Sequence, residues 1–246
     1  MPDLSGKVAL VTGGSRGIGA AIATRLAHDG ADVALTYHTA AGKAADVAAK
    51  LEADGGRALA LEADSADPGS VVESVTRTVE ELGSLDILVA NAGIFAYGEL
   101  ADVTLDELDR MLAIHVRGVF LAAQAAAAHM TDGGRIISIG SCFAERVPTP
   151  GVTLYSMTKS ALTGLTKGLA RDLGPRGITA NVVHPGPTDT DMNPADSPEA
   201  ETERAFTALG RYGTGSDIAG MVSFLAGPDG DWVTGASFAV DGGYTA

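Results

Sequence analysis

Short apolar runs recur at even intervals along the 246-residue chain, each separated from the next by a longer stretch of helical pattern. KVALVT (7–12), DVALTY (32–37), RALALEAD (57–64), LDILVANAG (85–93), GRIISIGS (134–141), GITANVVHPG (177–186) and a last run near 236–240 are the strand candidates. Helices are expected near 17–29, 40–53, 68–82, 104–130, 152–173 and 216–226. The third opens at Pro68, where a missing N–H leaves no hydrogen bond unmade. The β runs are continuously apolar rather than alternating, so both faces of the sheet must be covered. Buried strands alternating with helices make right-handed βαβ units, and hence an α/β fold with a parallel, doubly wound sheet and helices on both faces. No linker, repeat or low-complexity tract interrupts the rhythm, so residues 1–246 are expected to form a single domain. The polar, Pro-containing stretch 188–203 is the one break in the spacing.

Charge and cysteine content narrow the classes further. The formal net charge is −14 and no basic block occurs, so neither nucleic acid nor an anionic membrane surface is an expected partner. Cys142 is the one cysteine, which excludes an internal disulfide. Without CxxC motifs or His/Cys clusters, no metal site is expected. MPDLSGKVAL lacks the charged start and apolar core of a signal peptide, and no unbroken apolar run approaches the ~20 residues of a membrane span. A soluble, cytoplasmic protein is the expectation.

The segment VTGGSRGIGAAI (11–22) follows the first strand and opens the first helix. Gly13, Gly17 and Gly19 frame a TGxxxGxG loop, in which glycine permits φ > 0 and lets a ligand approach the backbone. The helix start beyond it offers unpaired N–H groups and partial positive charge, which suit a pyrophosphate. Gly13, Ser15, Arg16, Gly17, Ile18 and Gly19 are therefore the expected contacts of a dinucleotide. An NAD-preferring site places an acid near the end of the second strand, yet no Asp or Glu lies between Thr36 and Lys43. Arg16 supplies a guanidinium that suits a 2′-phosphate, with Tyr37, His38 and Thr39 as further contacts. Against the alternative of Arg16 as a solvated loop charge, NADP(H) is the expected cofactor. In LYSMTKSAL (154–162), Tyr155 and Lys159 stand four residues apart, on one face of a helix.

TGGSRGIG (12–19), NAG (91–93), Ser141, YSMTK (155–159) and PGPTDTDM (185–192) occur in one order along the whole length. With them the chain resembles the short-chain dehydrogenase/reductase family. The resemblance implies a Rossmann-type sheet of about seven parallel strands and hydride transfer between a carbonyl and an alcohol. It also implies a homotetramer or homodimer. Tyr155 becomes the acid/base. Lys159 lowers its pKa and hydrogen-bonds the nicotinamide ribose, and Ser141 orients the carbonyl oxygen. Ser138, deeper in the same strand, is the structural alternative to Ser141. Asp64 and Ser65 match positions that contact adenine. Asn91, Ala92 and Gly93 leave room for the cofactor, with Asn91 mainly structural. Pro185 and Gly186 turn the chain after the sixth strand, and Thr188 and Thr190 match positions that bind the nicotinamide amide and nearby phosphate.

One position departs from the family pattern. His115 stands where an Asn is expected in the long fourth helix, as a fourth catalytic member relaying protons through water or as a residue that fills space. Phe95, Cys142, Phe143, Arg146, Leu154, His184 and Met192 are the expected substrate-pocket lining, with 193–209 as a lid. The expected substrate is a ketone or secondary alcohol with a hydrophobic group. Two alternatives stand beside this reading: reduction of 3-oxoacyl groups on acyl carrier protein, and a dinucleotide-binding sensor without turnover.

Overall fold

The computed structural model describes residues 2–246. Its strands are β1 (Val8–Val11), β2 (Asp32–Tyr37), β3 (Ala58–Glu62), β4 (Ile87–Ala90), β5 (Arg135–Ile139), β6 (Thr179–Pro185) and β7 (Ser237–Val240). Its helices are α1 (Gly17–His28), α2 (Ala41–Ala53), α3 (Pro68–Leu82), α4 (Leu105–Leu112), α5 (Val119–His129), α6 (Thr153–Leu173), α7 (Ala200–Phe206) and α8 (Gly215–Ala226). The strands form one sheet in the order β3-β2-β1-β4-β5-β6-β7, and every pairing is parallel. The chain builds outward from β1 to β3, then returns to β4 and builds the other way. The loops after β1 and β4 therefore diverge and leave a crevice beyond the carboxyl ends of the strands.

Both sheet faces are covered, as the unbroken apolar runs require. On one face Ile22 and Leu26 of α1 and Ile218, Val222 and Leu225 of α8 pack against Val11, Leu35, Val89 and Val183. On the other, Val71 and Val75 of α3 and Ala122 and Ala126 of α5 meet Leu10, Leu88 and Ile136. The alanine-rich sequence of α5 lets that helix lie close to the sheet. Burying a side chain such as Val75 contributes roughly 1.5–3 kcal/mol.

Local chemistry sets the helix ends. The Asp67 carboxylate accepts from the Ser70 N–H at 2.7 Å, one residue before Pro68, and Gly83 closes α3 at φ 97°. Thr104 and Glu107 form a reciprocal capping box at the start of α4. The helix expected over 104–130 is continuous in path, but Ala113–Gly118 forms a π-helical turn between α4 and α5. Gly118 lies so close to the loop after β3 that a Cβ there would come within 2.5 Å of the Ser65 carbonyl. The extra residue in the turn lets Gly118 meet that loop while His115 is turned inward.

Helix 105–129 also corrects an expectation. It is long and apolar enough to cross a membrane, with mean hydropathy 1.5 over its most apolar window. Arg110, His115 and Arg117 conceal it from a search for unbroken apolar residues. Its inner face is occupied by α3, β4 and the sheet rather than left bare.

Candidate functional site

Hydrogen bonds from two strand ends shape the glycine loop. The Thr12 hydroxyl accepts from the N–H groups of Asn91 and Ala92, both at 3.0 Å. Asn91 Nδ2 donates to the carbonyls of Thr12 and Gly13 at 2.9 and 3.1 Å. Thr36 Oγ1 accepts from the Gly13 N–H at 2.9 Å. Asn91 therefore works as a tie between β1 and β4. A Cβ at Gly19 would lie 2.3 Å from the Gly13 carbonyl oxygen, and Gly13 itself has φ 65°, so neither position admits a side chain without rebuilding the loop. Helix α1 starts at Gly17 with no side chain capping its first turn. Its N–H groups and dipole are left for an anion, in a loop whose tightness permits close approach. The site thus fits a dinucleotide pyrophosphate on its own geometry.

Above this loop lies a cavity of about 470 Å³. Its wall includes Gly13, Ser15, Arg16, Gly17, Ile18 and Gly19 from the loop. Tyr37, His38 and Thr39 follow β2, and Asp64 and Ser65 follow β3. Asn91, Ala92 and Gly93 follow β4, and Pro185, Gly186, Thr188 and Thr190 follow β6. Ser141, Tyr155 and Lys159 stand in the same wall after β5 and on α6. Among the described residues, no group of His, Cys, Asp or Glu is arranged to hold a metal ion.

Tyr155 is packed among three rings. Phe95 lies edge-on at 5.0 Å, His115 at 5.6 Å and Phe143 at 6.2 Å between centroids. Burial pushes its phenol up to about 12, and the nearby Ser141 side chain pulls it partly back. Lys159 lies 5.8 Å from the Tyr155 ring and donates to the Ile139 carbonyl at 2.9 Å. The residue is 5% exposed, and burial lowers its pKa to about 8. Without a bound dinucleotide, burial is the largest influence on this phenol and holds its pKa above rather than below the ordinary value. Ser141 is buried, in extended backbone. Its N–H donates to His184 Nδ1 at 3.1 Å, and its hydroxyl accepts from the Phe143 N–H at 3.2 Å. Ser138 is enclosed within β5, away from the cavity.

His115 stands behind this wall rather than in it. Nε2 accepts from the Ile94 N–H at 3.0 Å, and Nδ1 lies 2.9 Å from Thr158 Oγ1, which donates to the Tyr155 carbonyl at 2.9 Å. The Ile94 bond assigns the proton to Nδ1. Burial first, then the Lys159 charge, lowers the imidazole to about 3. The imidazole is neutral and both nitrogens are engaged by protein groups, an arrangement that fits the space-filling alternative of the two expectations.

The substrate-pocket expectation divides similarly. Phe95, Cys142, Phe143 and Met192 line the cavity. Three others do not. His184 is fully buried on β6 beneath Ser141, Arg146 binds the Tyr244 carbonyl and stacks on Phe206 and Tyr244, and Leu154 sits half-buried outside the wall. Burial holds the Cys142 thiol at about 12, consistent with a pocket group rather than a nucleophile. Sequence reasoning missed Arg110 and Tyr244, which also line the cavity, and placed Asn193 and Glu203 only within the lid without singling them out. It also missed α7, which carries Glu203 within the expected lid. Across the mouth, Lys43 on α2 pairs with Asp191 at 2.5 Å.

Comparison with known proteins matches this geometry to a family. A family described as "Enoyl-(Acyl carrier protein) reductase" matches residues 13–245. The cyclic-di-GMP-binding biofilm dispersal mediator protein of Escherichia coli (strain K12) is 46% identical over 100% of both chains. A short-chain dehydrogenase from Burkholderia cenocepacia J2315, solved in complex with NADP, is 57% identical, covers 99% of this chain and 100% of its own, and superposes with a TM-score of 0.98. A blue fluorescent protein from a metagenomic library, solved in complex with NADPH, is 61% identical with the same coverage and a TM-score of 0.98. With its seven-stranded parallel sheet, uncapped glycine-loop helix and full-length matches, the chain belongs to the short-chain dehydrogenase/reductase family of oxidoreductases.

Proposed function

We propose that residues 1–246 form one domain that both binds NADP(H) and catalyses hydride transfer between it and a carbonyl or secondary alcohol. The observation that carries this reading is the shared wall: the uncapped glycine-loop helix and the Ser141–Tyr155–Lys159 group border one cavity. The similar proteins solved in complex with NADP and NADPH support the choice of cofactor. So does Arg16 in the loop, with no acid between Thr36 and Lys43.

Gly13–Gly19 and the first turn of α1 would hold the pyrophosphate, Arg16 the 2′-phosphate, and Lys159 the ribose beside the reacting ring. When bound, the nicotinamide supplies the hydride in reduction and accepts it in oxidation. Ser141 is the hydrogen-bonding partner of the carbonyl oxygen, and its backbone is fixed by His184. Tyr155 donates the proton that the developing alkoxide needs. A phenol held near 12 remains protonated at neutral pH, and an alkoxide is a much stronger base, so the buried Tyr155 is a competent donor in the reducing direction. The surrounding rings keep water from competing for that site. Lys159 keeps a positive charge in the wall that opposes the phenolate's cost after transfer. His115 positions this group: through Thr158 it ties α6 at Tyr155 to the π turn, and through Ile94 to the loop after β4.

A homotetramer or homodimer in the cytoplasm belongs to the same proposal. Exposed Phe120 on α5 and Met157 on α6 offer apolar surface for a second copy. The name of the Escherichia coli relative favours a second reading, a nucleotide-binding sensor without turnover. Loss of NADPH absorbance against a panel of free ketones, with a 3-oxoacyl carrier-protein thioester as a separate arm, tests these readings. Turnover of free ketones supports the proposal. Turnover of the thioester alone supports the carrier-protein alternative. Tight NADPH binding with no consumption overturns the proposal in favour of the sensor.

A further inference from the structure

Beyond the hydride-transfer wall, the cavity has a second chemical character. Phe95 and Phe143 stand edge-on to Tyr155, Phe143 stands edge-on to Tyr244 at 6.0 Å, and Phe206 backs Tyr244 at 5.7 Å. A flat ring entering beside Tyr155 therefore meets aromatic faces and edges in the geometry such pairs prefer. Glu203 of α7 closes this compartment. Its Oε2 accepts from Asn193 Nδ2 at 3.0 Å and lies 3.2 Å from the Tyr212 hydroxyl. Oε1 has no hydrogen-bond partner, and Glu203 takes part in none of the ion pairs among the described residues. The one arginine next to it in sequence, Arg204, pairs with Glu201 and stacks on Tyr212 instead. Burial is the main cause of the raised Cys142 thiol and Tyr244 phenol; the carboxylate's charge adds to both, with Arg146 opposing it at Tyr244. An aromatic compartment thus ends in a fixed acceptor that, among the described residues, no cation pairs within salt-bridge distance, although Arg110 also lines the cavity.

We propose that Glu203 selects the substrate: an aryl ketone, or the matching aryl carbinol, that carries a hydrogen-bond donor on the part of the ring system far from the reacting carbon. A phenolic hydroxyl or an aryl-linked ammonium meets that requirement. A carboxylated ring does not, because it brings a second anion against Glu203. The assignment rests on the oxidoreductase reading above and adds to it a substrate class. Asn193 and Tyr212 hold the carboxylate in place, so the donor pays little to order it.

The test compares hydroxyphenyl ketones with their unsubstituted phenyl counterparts at matched chain lengths, with NADPH saturating. Wild type and Glu203→Gln are compared for kcat and KM separately, since Gln keeps the size and one acceptor oxygen but removes the charge. Binding of the corresponding hydroxyphenyl and phenyl carbinols to protein saturated with NADP+ is measured by calorimetry, which needs no turnover. The expected result is a wild-type preference for the hydroxylated member. Glu203→Gln reduces that preference by about tenfold, mainly through KM and carbinol Kd, as for loss of a hydrogen bond to a charged group. A carboxyphenyl ketone improves in the variant. Equal losses on both members of each pair, or a wild type that binds and turns over both alike, overturn the assignment while leaving ketone reduction intact. No turnover of any ketone, with carbinol discrimination still present, would instead strike the reading on which it rests. Tyr212→Phe controls for the lid: it removes a hydroxyl from the cluster without changing its charge. Because that hydroxyl also helps hold Glu203, part of the preference is lost with it, but the charge stays and a carboxyphenyl ketone does not improve; if it improves as in Glu203→Gln, packing of α7 rather than the carboxylate sets the selectivity, and the assignment falls.

Discussion

Replacing Lys159 by Met should change how stability depends on pH, in a direction opposite to ordinary intuition about lysines. Lys159 is enclosed between α6 and the end of β5, and burial lowers its pKa from 10.5 to about 8. That difference corresponds to about 3 kcal/mol by which the fold disfavours the charged amine at neutral pH. Between the folded and unfolded pKa values the unfolded chain binds more protons, so stability rises with pH across this window. From pH 7 to pH 9 the lysine alone adds about 1 kcal/mol to the unfolding free energy. The raised thiol of Cys142 and the raised phenols of Tyr155, Tyr212 and Tyr244 act the other way at higher pH, because the unfolded chain releases their protons first. Subtracting the variant from wild type cancels these contributions. Urea unfolding of both proteins without dinucleotide, at pH 7, 8 and 9, should give a wild-type minus Lys159→Met difference that climbs by about 1 kcal/mol. A difference that stays flat, or falls, would refute a lysine held against its charge by burial.

Two further outcomes follow from the same geometry. His115, lowered to about 3, must take up a proton on unfolding, so its contribution to stability is lost as pH falls below about 6.5. His115→Asn should flatten the loss between pH 7 and pH 5 by about 2 kcal/mol, measured by urea unfolding at each pH. Arg16→Ala should weaken NADPH binding by about tenfold or more while leaving NADH binding within a few-fold, measured by calorimetry with both dinucleotides.

The strands and their burial were the most legible part of the fold. Continuous apolar runs announced a sheet buried on both faces, and all seven runs became strands within a few residues of the expected ends. The run 85–93 overreached: after Ala90 the backbone of Asn91 and Ala92 leaves the ladder to bond Thr12, a long-range partner that no local pattern encodes. The π turn was invisible for a related reason. Ala113–Gly118 reads as ordinary helix, and its extra residue answers to Gly118 pressing on Ser65. In the site, the glycine loop and the Tyr155/Lys159 spacing were legible because each is set by a short stretch of backbone. Glu203, Asn193 and Tyr244 were not, since they reach the cavity from α7, the loop after β6 and the chain's end. The replacement of an expected Asn by His115 could be seen, but its effect could not. Only the partners Ile94 and Thr158 reveal that both imidazole nitrogens are spoken for.

The most direct measurement is single-turnover oxidation of NADPH by Tyr155→Phe with a ketone that wild type reduces. Phe keeps the ring against Phe95 and Phe143 and removes the hydroxyl alone. The predicted result is NADPH binding within a few-fold of wild type and a hydride-transfer rate lower by about 10²–10⁴. A rate within a few-fold of wild type would contradict the assignment of Tyr155 as the proton donor.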